Sequence, residues 1–195
     1  MGAIFRREVR SYFTSPIGYI FLAAFYAYSG VMFANYSLES GYTRLDSVFS
    51  ALLIIIIVLI PVLTMRTISE EKRTKTDQCL LTAPVGLGSI VVGKFLAAFL
   101  IYIIAIAITG VFAVIVSAFG TPDWNVVVGN IVALALVGGA YIAIGIFCSS
   151  FTENQIVAAV ISFIALIFVS FLSTIGNLLP FEWLTTVCEL SLIHI

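Results

Sequence analysis

A chain of 195 residues that is 62% hydrophobic and only 10% charged lies outside the range of soluble domains, whose apolar share is roughly 45–50%. No soluble core of this length could bury that surface, and a mean hydropathy of +1.18 leaves the bilayer as the solvent. Nine Lys and Arg against ten Asp and Glu, a net charge of −1, exclude a nucleic-acid footprint and an acidic disordered tail.

In chain order, Ile4, Phe5, Val9, Tyr12 and Phe13 recur at helical spacing, with Arg6, Arg7, Glu8, Arg10 and Ser11 on the other side. This predicts an amphipathic interfacial helix whose arginines, Arg6, Arg7 and Arg10, face water and anionic headgroups while Phe5 and its neighbours face the membrane. Ser15-Pro16 ends it and turns the chain inward. The apolar run that follows is too long for the core of a secretory signal.

Five charge-free runs follow: Ile17–Leu38, Ser47–Met65, Phe95–Pro122, Trp124–Thr152 and Asn154–Phe181. Each reaches the roughly 20 residues that span ~30 Å of hydrocarbon as a helix, and none shows the alternation of a barrel strand. The expected fold class is therefore an all-α integral membrane protein with five transmembrane helices, at about 17–38, 47–65, 95–119, 125–148 and 155–178. Pro61 predicts a kink near the end of the second span.

Orientation follows from the cations. Arg6, Arg7, Arg10, Arg66, Lys72, Arg73, Lys75 and Lys94 share one side and only Arg44 is opposite. The positive-inside rule makes the N-terminus and the 66–94 loop cytoplasmic, in a bacterial inner membrane, with the last residues outside. The outer connections are short.

Within the spans no acid, base or histidine lies at mid-membrane depth, which argues against proton pumps, ion-coupled carriers and voltage sensors. Ala135, Gly139 and Ala143 form a small-xxx-small stripe on the fourth span, read as helix packing. Cys79, Cys148 and Cys188 lie at different depths or sides and form neither a disulfide framework nor a metal cluster.

The long hydrophilic stretch MRTISEEKRTKTDQCLLTAPVGLGSIVVGK, Met65–Lys94, carries what function the residues can show. Thr67 and Glu70 fit a capping box, and Glu70, Glu71, Lys72, Arg73 and Lys75 keep the segment in water. A short helix, Asp77–Ala83, fits between Thr76 as N-cap and Pro84, with Leu80 and Leu81 as an apolar knob shaped for a partner's groove. Gly88–Lys94 matches a phosphate-binding loop, but Phe95 stands where Ser or Thr is needed and Lys94 opens a span. Lys94 is expected to snorkel to the inner headgroups. No nucleotide cofactor is expected on this chain. Catalytic constellations are absent and His194 stands alone near the end, so a membrane enzyme is not expected.

The pattern E-E-K-R-T-x-T-x-x-x-L-L-T-A-P-V at Glu70–Val85, followed by Gly93-Lys94-Phe95-Leu96, resembles the ABC-2-type permease family of ABC transporters. The opening Phe5–Tyr19 segment is similar to its gliding-motility-associated and copper-processing-like branches. The resemblance implies an exporter permease, one ABC-2-type domain over residues 1–189, working with cytoplasmic ABC ATPase subunits and a second permease copy or related permease. ATP and magnesium would sit on the ATPase. It further implies that Glu70, Glu71 and Arg73 match the charged end of the second helix, and that Thr76, Leu80, Leu81 and Pro84 match the coupling helix docked in the ATPase. Lys75 stands where many members have Gly. Members have six spans with both termini cytoplasmic, and Leu190–Ile195 matches one frame of a transposon-end sequencing adapter. A C-terminally truncated chain with a non-native 190–195 tail is thus expected. The alternative is a non-transporting membrane scaffold that recruits a cytoplasmic protein through the 66–94 loop.

Overall fold

The computed structural model describes residues 2–38, 46–75, 86–119 and 123–178. Helix α1, Gly2–Thr14, meets α2, Pro16–Phe33, at a corner on Ser15. Proline at the first position of α2 needs no N–H there, and Ser15 is the extended N-cap whose hydroxyl accepts the Ile17 N–H at 3.4 Å. The corner is tight: a Cβ on Gly18 would stand 2.6 Å from the Tyr12 carbonyl oxygen. Helix α2 continues into a π-helical turn, Ala34–Leu38.

Helix α3, Asp46–Thr64, is the apolar centre and carries Pro61 in its last turn. A turn at 65–68 leads to the single-turn helix α4, Ser69–Arg73. Helix α5, Leu87–Phe119, has 33 residues, about 50 Å at 1.5 Å per residue, which exceeds the hydrocarbon thickness. The third span was expected to start at 95; instead the end of the 66–94 stretch is already helix, and its first two turns form part of the cationic end of the bundle. Helices α6, Trp124–Ser149, and α7, Gln155–Leu178, complete the order.

The protein is an all-α membrane protein, and the described residues contain no strand. Among the described residues four segments are long and apolar enough to cross a membrane, Pro16–Ser37, Ser47–Arg73, Gly88–Ala118 and Trp124–Ser149, and Gln155–Phe171 is a shorter apolar one. Helix α3 packs against α2, α6 and α7, and α5 packs against α1, α2 and α6. Their shared core holds Phe21, Phe25, Leu52, Ile60, Ile101 and Ile142. Phe33 stacks on Phe112 with centroids 4.5 Å apart. The outer faces expose Leu136, Ile156, Ile164 and Phe168, as expected where lipid replaces water.

Candidate functional site

Helix α1 has three edges, each repeating at i, i+4. Ile4, Glu8 and Tyr12 point into the protein, Phe5, Val9 and Phe13 run along one flank, and Arg6 and Arg10 face out and are exposed. Ile4 fits against Gly93 of α5, where a Cβ would lie 3.1 Å from Ile4 Cγ2. Glu8, expected on the watery side, is turned inward with only 14% of its side chain exposed. The cause is a cation waiting there.

That cation is Lys94. Its side chain is 2% exposed, and its ammonium lies 2.9 Å from Glu71 Oε1 and 3.4 Å from Glu8 Oε1. It also donates to the Thr67 carbonyl at 2.6 Å. Lys94 therefore does not snorkel to headgroups: two carboxylates and a carbonyl satisfy its donors inside the protein, which offsets its desolvation. Arg7 closes the cluster from outside, 2.7 Å from Glu8 and 2.8 Å from the same Glu71 oxygen. The Glu8 carboxylate holds the Arg7 guanidinium above its already high value. Glu71 was expected in water, yet its side chain is 18% exposed, because it bridges α4 to α1 and α5.

Beside this cluster, Arg66 grips Glu70 with two parallel bonds of 2.5 and 2.7 Å and donates to Ser15 Oγ at 2.7 Å. Tyr12 donates to the Leu63 carbonyl at 3.2 Å, and burial pushes its phenol up to about 12. Between the two charge groups lies a cleft of about 380 Å³ lined by α1, the 66–74 segment and Lys94.

The expected capping box at Thr67 and Glu70 does not form. Glu70 is taken by Arg66, and Ile68, the N-cap of α4, makes no side-chain cap bond. Ser149, at the end of α6, caps the helix across space instead. Its hydroxyl accepts the Ile68 and Ser69 N–H groups at 3.3 and 3.2 Å and donates to the Met65 carbonyl at 3.2 Å. Lys72 donates to the Ser150 carbonyl. Arg73 is exposed, and Lys75 adopts φ 54, the left-handed conformation that closes a helix C-terminus.

The model of the ABC-2 family transporter protein matches residues 3–188. The chain belongs to this family. No curated protein and no solved structure matches it. The ABC-2 chain is thus a permease subunit of an ABC transporter, a transport subunit rather than a catalytic one, and its family normally pairs with an ABC ATPase.

In this ABC-2 permease, Glu70, Glu71 and Arg73 are on α4, while Thr76, Leu80, Leu81 and Pro84 lie outside the described residues. So do Cys79, Cys188, His194 and the 190–195 tail. Of the Ala135, Gly139 and Ala143 stripe, only Gly139 is buried, against Phe99, and Ala143 is exposed. The close approaches fall on Gly138, against Tyr102, and Gly145, against Thr64. Sequence reasoning missed Ser149, Tyr12, Glu8 and Lys94 as site residues. The available signal was an isolated charge at a span edge, which needs a partner when buried.

Proposed function

We propose that this permease subunit belongs to an exporter of a bacterial inner membrane, with its N-terminus and 66–94 segment cytoplasmic. A separate ATPase docks on the segment around Leu80 and Leu81 and carries ATP and magnesium. Nucleotide binding and hydrolysis shift the docked segment, and the bundle alternates between inward and outward states, paired with a second copy or a related permease.

One observation carries this reading: Lys94 ties α1, the 66–74 segment and α5 into one unit through Glu8, Thr67 and Glu71. A displacement of α4 would therefore be passed to α1 and α5 through these bonds. Ser149 adds α6 to the unit. The eight cations at that end support the orientation, and the Phe5–Tyr19 segment supports the gliding-motility-associated branch. Apolar, uncharged spans favour a lipid-linked or amphipathic substrate.

The test is the pair Leu80→Asp and Leu81→Asp, with affinity purification of the permease from cells that carry the ATPase gene. The variant is expected to insert normally and to lose the ATPase. Undiminished co-purification overturns the docking assignment, and a partner that stays bound without nucleotide-dependent motion favours a scaffold.

A further inference from the structure

Charge pairing at the cationic end is selective. Lys94 and Arg7 answer Glu8 and Glu71, and Arg66 answers Glu70. Arg6 and Arg10, like Arg73 and Lys75, are exposed and have no carboxylate within ion-pair distance among the described residues, but they share one edge of a helix that also carries an apolar flank. They stand one turn apart on the outward edge of α1, near enough for two guanidiniums to share one anion.

The apolar neighbours say what kind of anion. The flank beside this edge is Phe5, Val9 and Phe13, and Phe13 meets Tyr19 of α2 edge-on with centroids 6.2 Å apart. Phe13, Tyr19 and Ile20 are 38%, 57% and 57% exposed. A cationic edge continuous with an apolar and aromatic wall is complementary to a molecule with an anionic head and hydrocarbon tails. A hollow beside Arg10 is lined by Ser11, Thr14 and Ser15, within reach of headgroup hydroxyls.

The surface is also preorganised. Gly18 admits the close α1–α2 corner, Arg66 holds Ser15, and Tyr12 holds the Leu63 carbonyl. Helix α1 is thereby fixed across the start of α2 and does not have to fold on binding, so little ordering cost opposes the ligand.

We infer that the outward edge of α1 is a binding site for an anionic phospholipid, with the phosphate between Arg6 and Arg10 and the acyl chains along Phe13, Tyr19 and Ile20. Lipid binding at this edge needs no ATPase.

The test uses the full chain in detergent, titrated with phosphatidylglycerol or phosphatidylcholine and read by native mass spectrometry. Each arginine beside an anionic lipid surface contributes about fivefold to binding, so Arg6→Gln with Arg10→Gln is expected to weaken phosphatidylglycerol about 25-fold. The variant should keep the wild-type melting temperature, since neither side chain makes a bond inside the protein. A charge-matched control, Arg73→Gln with Lys75→Gln, should retain the lipid. Equal retention of phosphatidylcholine by the wild type, equal loss in the control, or an unchanged affinity in the double variant overturns the site. Full competition by inorganic phosphate overturns the acyl-chain contact and leaves a bare anion site.

Discussion

The Lys94 ammonium lies 2.9 Å from the Glu71 carboxylate, in a position where the lysine is almost fully enclosed. Removing one partner of such a pair leaves an orphaned charge, at a cost of about 3–5 kcal/mol. Arg7 remains within 2.8 Å of Glu71, so Lys94→Met should lose about 3 kcal/mol. Adding Glu71→Gln removes one of the two carboxylates that Lys94 neutralised and leaves Arg7 on Glu8, so the double variant should recover part of the loss. Thermal unfolding in detergent micelles would show this as a non-additive cycle. Additive losses would mean the pair is not coupled.

Ser149 gives a second prediction. Ser149→Ala strips the acceptor from two N–H groups of α4, and capping losses cost about 1–2 kcal/mol. Because the cap comes from another helix, the damage should be local. Hydrogen exchange is expected to accelerate over residues 68–74 and to stay unchanged in the centre of α3. Uniform acceleration would mean that Ser149 supports the whole bundle instead.

The glycines of α6 form a graded series. A Cβ on Gly138 would lie 2.1 Å from the Tyr102 ring, one on Gly145 2.3 Å from Thr64 Oγ1, one on Gly139 3.3 Å from Phe99, and one on Gly129 would meet nothing within 4 Å. Overpacking costs about 1–3 kcal/mol, whereas Ala in an open helix position gains up to ~1 kcal/mol. Gly138→Ala and Gly145→Ala should therefore lower the melting temperature, Gly139→Ala should change it little, and Gly129→Ala should raise it. Tyr102 cannot simply turn away, since its hydroxyl donates to the Leu134 carbonyl at 2.7 Å.

Lys75 occupies a left-handed position with φ 54, where the Cβ of any L residue is disfavoured by about 1–2 kcal/mol. Lys75→Gly relieves this and also loosens the unfolded chain. The net expectation is a gain of about 0.5–1 kcal/mol at the end of α4, seen as slower hydrogen exchange at Thr74 and at position 75, corrected for the intrinsic rate of glycine. Faster exchange would mean that the lysine makes a contact worth more than its backbone strain.

Much of the fold was legible in the runs themselves. A bilayer demands that every backbone group bond within its own segment, so apolar length alone determines helices such as α3 and α6. The recurrence of Ile4, Phe5, Val9, Tyr12 and Phe13 likewise places Ile4 and Arg6 on opposite sides of α1 before any tertiary contact is known. The candidate site was only half legible. Arg66–Glu70 is an i, i+4 pair that the local sequence contains, but Glu8 and Lys94 look like ordinary surface charges in their own segments.

What only the tertiary structure decided was the partner of each polar group. Glu8 and Lys94 are brought together by the approach of α1 to Gly93, and Ser149 meets Ile68 because α6 ends beside the 65–68 turn. Thr67 had the local chemistry of a cap, yet Ser149, brought beside the turn by the end of α6, took that role. Small residues at 135, 139 and 143 share a helix edge by spacing, but where neighbours come closest depends on how α5 and α3 pack, and those approaches fall on Gly138 and Gly145. Helix formation in a membrane depends on the chain's own hydrogen bonds, whereas charge neutralisation and close packing depend on atoms that other segments supply.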